Sequence, residues 1–153
     1  MRQILQKLTF IVLVFTLGIV KTSGQATTKE ITDKFFGLYA TDPIKAVEYG
    51  FSTNKWMDRK QDEVANLKSK LKDIVSLLGE SDGYELLSEK TAGQNTKMVT
   101  FIVRYDREPV RFTFLFYKPK DTWRLNNFSY DEDLDKDLEE ASKAYRLREN
   151  LNY

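Results

Sequence analysis

The sequence contains no cysteine and no histidine among its 153 residues. Without cysteine the chain forms no disulfide, offers no thiolate to a metal, and cannot carry the lipid that anchors bacterial lipoproteins through a cysteine. Without histidine it lacks the base of Ser-His-Asp and Cys-His catalysis and a common ligand of zinc and iron sites. General acid–base chemistry would fall to Asp, Glu, Lys or Tyr, each of which needs a strongly tuned site.

The chain also lacks an excess of charge of either sign. It has 24 Lys and Arg against 23 Asp and Glu, a formal net charge of +1. A nucleic-acid-binding protein uses a basic face to displace counterions from the phosphate backbone. The balanced charge therefore argues against a nucleic-acid partner. No motif in the sequence predicts a cofactor.

One acidic run invites comparison with a calcium site. Residues 131–137 read Asp-Glu-Asp-Leu-Asp-Lys-Asp. A calcium-binding EF-hand loop needs Gly at its sixth position and Glu at its twelfth, whereas this run has Lys136 and Ser142 there. Acidic residues are also favourable at a helix start, because they face the positive end of the helix dipole. We therefore interpret the run as a helix start and predict no metal site.

The first 24 residues have the layout of a cleavable secretory signal peptide. Arg2 and Lys7 precede an uncharged apolar run over 8–20, and a polar, small-residue segment follows the run. A membrane span needs about 20 apolar residues, so a retained anchor is the weaker alternative. Cleavage is predicted after Gly24, with Ala26 as the second choice. The protein is then expected to be exported, periplasmic or secreted, with no membrane attachment.

Residues 25–153 are predicted to form a single domain. Removing 1–24 takes away three cations and no acid, which changes the net charge to −2. About 129 residues is an ordinary length for one domain with one hydrophobic core. Since no disulfide is available, side-chain packing must stabilise the fold.

The first half of this domain has the periodicity of helices. Thr27 and Glu30 have the spacing of a capping box, and Asp42-Pro43 is typical of a second helix start. The longest helix is predicted from about Asp58 to Gly79. Its apolar residues form one stripe: Val64, Leu67, Leu71, Ile74, Val75 and Leu78.

From Gly83 onward the period changes to two, which predicts four strands joined by short turns in an antiparallel meander. The predicted strands cover 84–90, 98–105, 110–117 and 122–130. The second strand places Val99, Phe101 and Val103 on one face. The third strand likewise gives one face a row of four residues: Val110, Phe112, Phe114 and Phe116. The long helix is expected to cover that face, and the break in alternation at Asn126-Asn127 predicts a β-bulge that curves the sheet.

The turns set the expected register of neighbouring strands. A turn at Asp106-Arg107 would place Val103 opposite Val110 and Phe101 opposite Phe112. A two-residue turn at Pro119-Lys120 would place Phe116 opposite Trp123 and Phe114 opposite Leu125. After the sheet, a charged C-terminal helix is predicted over 131–153, either docked on the domain or offered to a partner. Its thin apolar stripe is Leu134, Leu138, Ala141, Tyr145 and Leu151.

The outer face of the sheet is the candidate ligand site. Arg104, Arg111 and Arg124 share the parity opposite the aromatic face, and Tyr117 and Tyr130 lie close to them in sequence. Guanidinium groups bind carboxylate or phosphate through paired hydrogen bonds, so these residues are candidates to line a shallow pocket for an anionic or polar ligand. The alternative is a solvated face on which the arginines form weak ion pairs with glutamates of the first strand.

Trp56 is the sixth candidate residue. Aromatic side chains mostly serve packing, so Trp56 is expected to plug one end of the core. The alternative is that its ring lines a ligand pocket.

The order of helices and strands, with a long helix over a curved antiparallel sheet, resembles the NTF2-like (cystatin-like α+β) superfamily. Residues 51–56, 83–86, 109–114 and 116–119 also resemble small exported bacterial proteins of uncharacterised function. The resemblance implies a cone-shaped α+β fold, a cavity and dimerisation through the sheet. Enzymes of this superfamily commonly use Asp with His or Tyr in the cone, and this chain has no His.

Three functions follow as hypotheses. The first is an exported, non-catalytic binding or accessory domain for an unknown small ligand, acting through the concave side of the sheet or as a homodimer. The second is an interaction module that contacts a protein partner through the C-terminal helix or the sheet. The third is an enzyme of ketosteroid-isomerase style, which requires a carboxylate and a tyrosine converging in a deep pocket, with the pKa of the acid raised.

Overall fold

The computed structural model describes residues 26–149, with side chains through Tyr145. The predicted signal peptide 1–24 and the stripe residue Leu151 lie outside the described residues. The described chain has an α+β fold. Its helices are α1 (Thr28–Tyr39), α2 (Pro43–Ser52), α3 (Gln61–Leu78) and α4 (Leu134–Glu149), with a short 3₁₀ helix (Lys55–Arg59) before α3. Its strands are β1 (Ser81–Ala92), β2 (Thr96–Tyr105), β3 (Val110–Tyr117) and β4 (Arg124–Asp131).

Side-chain caps begin the first two helices, as the sequence predicts. The hydroxyl of Thr27 accepts a hydrogen bond from the backbone N–H of Glu30 at 3.1 Å, and the backbone N–H of Thr27 donates to the Glu30 carboxylate at 2.7 Å. Asp42 caps α2 by accepting from the N–H groups of Ile44 and Lys45. These bonds satisfy donors that have no partner inside the helix.

The cap at Thr27 gives a testable stability effect. Thr27→Ala removes the acceptor for the Glu30 N–H, so we expect the free energy of unfolding to fall by about 1 kcal/mol. Thr27→Ser keeps the hydroxyl and is expected to change stability by only a few tenths of that amount. Urea unfolding of both variants measures the difference, and equal losses would exclude the cap as the cause.

The four strands form one antiparallel sheet in the order β1-β2-β3-β4. The predicted register of β2 with β3 is confirmed, because Val103 pairs with Val110 and Phe101 with Phe112. β1 starts earlier than predicted, at Ser81. Among residues 26–149, no helix is long and apolar enough to cross a membrane.

The predicted register of β3 with β4 is wrong, whereas the predicted bulge is confirmed. Phe116 pairs with Leu125, and Phe114 pairs with Phe128. The chain takes a longer connection than a two-residue turn, because β4 begins only at Arg124. The register shifts beside Phe116, and the extra residue, Asn126, returns Phe128 to the inner face of the sheet.

Helix α1 supplies the rings that meet the phenylalanines of the sheet. Phe35 lies 5.0 Å from Phe114, Phe36 lies 4.9 Å from Phe101, and Tyr39 lies 5.4 Å from Phe112, measured between ring centroids. The long helix α3, which was expected to cover this face, adds aliphatic residues to the same core: Leu71, Ile74 and Leu78. Both helices therefore bury their apolar sides in one cluster with the sheet.

Two side chains just after α2 hold the start of β4. The Thr53 hydroxyl accepts a hydrogen bond from the backbone N–H of Leu125 at 2.9 Å, and the side-chain amide of Asn54 donates to the Leu125 carbonyl at 3.1 Å. Asn54 is buried, so these bonds satisfy polar groups in the interior. They also fix the end of α2 against the edge strand of the sheet.

Helix α4 is attached to the domain at its first turns. Arg111 of β3 donates to Asp131 at 2.8 and 3.1 Å and also forms an ion pair with Asp137. Farther along α4, Leu138 is 71% exposed and Tyr145 is 65% exposed. The described part of the helix therefore leaves its apolar stripe in solvent instead of docking it on the sheet.

Candidate ligand-binding site

Acids of the same chain bind two of the three candidate arginines. Arg104 pairs with Glu85 on the neighbouring strand and donates to the backbone carbonyl of Asp82 at 2.7 Å. Arg111 is bound by Asp131 and Asp137, and its hydrogen bond with Asp131 is the main reason that its pKa is raised. The Arg104–Glu85 pair matches the alternative interpretation of the outer face, in which arginines pair with glutamates of the first strand, whereas Arg111 pairs with aspartates of β4 and α4.

Arg124 and Tyr117 lie at the opposite end of the sheet from Arg111. They pair with each other across β3 and β4. Tyr117 is six positions from Arg111 on the same strand, a separation of about 20 Å at the rise of a β-strand. The structure therefore does not bring the predicted outer-face residues into one pocket.

Trp56 is 53% exposed, so the expectation that it plugs the core is wrong. The 3₁₀ helix turns Met57 toward the core instead. The Arg59 guanidinium lies 5.0 Å from the Trp56 ring centroid, and the Lys55 ammonium lies 5.3 Å from it. The ring is thus available to solvent between two cations, a geometry that favours cation–π contact.

Tyr130 is the candidate residue that lines a cleft. The bulge at Asn126 gives Tyr130 the same inward parity as Phe128, and its ring centroid lies 6.4 Å from that of Phe112. Burial raises the pKa of the Tyr130 hydroxyl, with smaller contributions from Glu132 and Asp73. The hydroxyl therefore stays protonated at neutral pH and is able to donate a hydrogen bond.

The cleft that contains Tyr130 lies between α3 and β4. Its volume is about 400 Å³. Apolar side chains from four elements line it: Phe51, Met57, Val64, Leu67 and Phe128. Polar and charged side chains complete the lining: Lys60, Glu63, Asn66, Lys70, Asn126, Asn127, Ser129 and Tyr130. The lining is therefore amphipathic, with hydrogen-bonding groups beside an apolar floor.

A second cleft of about 420 Å³ lies on the other side of α3. Phe51, Met57 and Val64 line both clefts. Val64 is the residue of α3 that lines both clefts, so a substitution of Val64 changes the shape of both clefts. Two ion pairs lie at these clefts, Lys60–Glu63 at 2.9 Å and Lys68–Glu48 at 2.6 Å.

A third cleft, of about 280 Å³, lies where the start of α1 meets β1 and β2. Leu86, Val99 and Phe101 form its apolar part. Its acids are Asp33, which pairs with Lys29 at 2.6 Å, and Glu89, which pairs with Lys97 at 2.6 Å.

The enzyme hypothesis requires a carboxyl group with a raised pKa facing a tyrosine. The pKa of the carboxyl groups of Glu30, Asp42 and Asp133 is lowered, which is the opposite of what the hypothesis requires. Hydrogen bonds to the charged form are the leading cause in all three. Within residues 26–149, no cluster of three or more His, Cys, Asp or Glu is arranged to hold a metal ion.

One pair of buried tyrosines lines none of these three clefts. The hydroxyl oxygens of Tyr39 and Tyr105 lie 2.5 Å apart. Burial raises the pKa of Tyr39 to about 12 and raises that of Tyr105 as well. The two hydroxyls satisfy each other inside the core, which is the ordinary way to bury a polar group.

Sequence patterns missed most of the lining of the α3–β4 cleft. Lys60, Lys70 and Asn127 were not among the candidate residues, because their role depends on how α3 lies against β4. One signal was available: the broken alternation at Asn126-Asn127 marks a bulge, and bulges are common beside functional sites.

Comparison of the chain with family models, with curated proteins and with solved structures gave no match.

Proposed function

We propose that this protein is an exported, non-catalytic binding domain that holds a small amphipathic molecule in the α3–β4 cleft. The observation that carries the proposal is the composition of that cleft, in which an apolar floor adjoins the Tyr130 hydroxyl and the amides of Asn126 and Asn127. Ligand pockets commonly combine an apolar lining with a few polar groups that orient the ligand, and they span about 300–1,000 Å³. The volume of this cleft lies within that range.

Trp56 extends the proposed site toward solvent. It neighbours Met57, which lines the cleft, and its exposed ring lies beside the cations of Arg59 and Lys55. An aromatic ring on an exposed turn beside a cleft offers stacking area to a ligand that projects from the apolar floor.

We propose further that the fold is NTF2-like and that residues 1–24 direct export. The order of the elements supports the first part, because three α-helices and a short 3₁₀ helix precede a four-stranded meander, and the three α-helices share one core with it. The apolar run over 8–20 and the basic residues before it support the second part. An exported domain without disulfides relies on this large aromatic core for its stability.

The cleft is tested by blocking it with Val64→Trp. The probe is 8-anilinonaphthalene-1-sulfonate, an amphipathic aromatic anion that fluoresces in apolar surroundings. We expect the native protein to bind the probe and Val64→Trp to weaken binding about tenfold or more, because the added ring occupies the floor. Leu77→Trp is the matched control, since Leu77 lies on the same helix and is 67% exposed.

Circular dichroism and urea unfolding establish that both variants are folded before they are compared. Weak binding by the native protein, or equal binding by Val64→Trp and Leu77→Trp, would exclude the α3–β4 cleft as the binding site. Because Val64 lines both clefts, loss of binding with Ala65→Trp, at a residue that lines only the second cleft, would assign the probe to that second cleft instead. Native mass spectrometry of protein purified from its own host gives an independent readout. A co-purified mass that is present with Leu77→Trp and lost with Val64→Trp would support the proposal.

A further inference from the structure

Helix α4 presents an apolar face that the described domain does not cover. Leu138, Ala141 and Tyr145 are separated by three and four positions, so they lie on one side of the helix. Leu138 and Tyr145 are among the most exposed large apolar residues of the described chain. The ion pair of Asp137 with Arg111 holds the start of the helix to the sheet. A helix with this pattern gains stability when a partner covers the stripe.

The charges of α4 are separated along its length. The part from Leu134 to Glu140 contains four acids and one base, a net charge of −3. The part from Ala141 to Glu149 contains three bases and one acid, a net charge of +2. The dipole of α4 itself favours this order, but the order also determines which partner the helix fits.

The described helix has 16 residues, a length of about 24 Å. A parallel copy would place acid beside acid and base beside base, which is repulsive. An antiparallel copy would place the −3 part beside the +2 part at both ends. A twofold axis near Ala141 relates the two helices in that arrangement, so each apolar stripe meets the other.

We propose that α4 binds α4 of a second copy of this chain, antiparallel, through the stripe that contains Leu138, Ala141 and Tyr145. The apolar stripe and the charge separation indicate a second copy of the chain as the partner. One α4 helix carries both the acidic part and the basic part that an antiparallel pair needs. This interface goes beyond the proposed function of the cleft, because it lies on a different element. Val64→Trp is expected to block the cleft and leave the association unchanged.

Single cysteine variants test the direction of the helices. The sequence has no cysteine, so an introduced thiol is the only one present. In the antiparallel pair the two Ala141 positions meet near the twofold axis, whereas the two Leu134 positions are about 22 Å apart along the length of the helices. A disulfide needs Cα atoms within about 7 Å. We therefore expect Ala141→Cys to form a covalent dimer on mild oxidation and Leu134→Cys to remain monomeric on a denaturing gel.

Leu77→Cys reports the background from random collision, since it is an exposed position on α3. Cross-linking of Ala141→Cys at only this background rate would overturn the proposal. Cross-linking of Leu134→Cys as fast as that of Ala141→Cys would indicate parallel helices and would overturn it as well.

Analytical ultracentrifugation of the protein purified from its own host measures the association without a cross-link. We expect a concentration-dependent dimer whose dissociation constant rises about tenfold or more with Leu138→Asp and stays unchanged with Leu77→Asp. A monomer at every concentration, or a dimer that Leu138→Asp leaves intact, would contradict the α4 interface.

Charge-reversed variants test the electrostatic part of the proposal. One variant carries Glu139→Lys with Glu140→Lys, and the other carries Lys143→Glu with Arg146→Glu. Each variant has like charges on both halves of α4, so each is expected to lose self-association. An equimolar mixture restores opposite charges and should form a heterodimer, and failure of the mixture to associate would exclude charge complementarity.

Discussion

Replacing Phe114 by alanine is expected to lower the free energy of unfolding by about 3–5 kcal/mol. The Phe114 ring is buried, and its centroid lies 5.0 Å from that of Phe35 and 4.9 Å from that of Phe128. Alanine removes these contacts and leaves a cavity between α1 and the sheet, which the surrounding rings fill only in part. Urea unfolding followed by circular dichroism measures the change.

Tyr117→Ala is the matched control for this loss. Tyr117 is an aromatic residue on the same strand, but it lies on the other face and is 46% exposed. We expect its removal to cost less than about 1 kcal/mol. Equal losses from the two variants would contradict the assignment of the aromatic face of β3 to the core.

The second large effect is expected above pH 10, at the buried pair of Tyr39 and Tyr105. Folding raises the pKa of Tyr39 from 10.0 to about 12 and also raises that of Tyr105. The contribution of this tyrosine pair to the free energy of unfolding is therefore complete below pH 10, where both hydroxyls are protonated in the folded and the unfolded chain. It is lost as the pH rises toward 12, because the unfolded chain then releases protons that the folded chain retains.

For Tyr39 this loss is about 2–3 kcal/mol across the interval, since one pKa unit corresponds to about 1.4 kcal/mol. Urea unfolding at pH 8 and at successive steps up to pH 12 measures it. The double variant Tyr39→Phe with Tyr105→Phe removes both hydroxyls and should have a shallower alkaline decline. An identical decline in the native protein and the double variant would assign the effect to other groups.

The sequence predicted the sheet well because β2 and β3 alternate so regularly. Phe101 and Val103 on one strand and Phe112 and Phe114 on the next leave a single choice of buried face, and a one-residue slip would expose all of them. The α+β class, the C-terminal helix and the bulge at Asn126-Asn127 follow from equally local signals. Each of these features depends on residues that are close together in the chain.

Other features depend on contacts that no local pattern encodes. The aromatic stripe of α1 and the aliphatic stripe of α3 are equally good partners for the sheet, so periodicity did not reveal that the rings of α1 meet the phenylalanines. The exposure of Trp56 depends on how a five-residue 3₁₀ helix is turned. The α3–β4 cleft likewise arises only when two distant segments lie side by side.

The hydrogen bonds of Thr53 and Asn54 with the backbone of Leu125 have a consequence for aggregation of this protein. The edge strand of a sheet normally exposes backbone N–H and C=O groups that can pair with a strand from another chain. Fibrils grow when both edge strands of the sheet pair in this way. Here the backbone N–H and C=O of Leu125 in β4 already bind side chains, and the bulge beside Leu125 bends the edge further. The addition of a strand from another chain is therefore obstructed at Leu125, even for a chain so rich in phenylalanine.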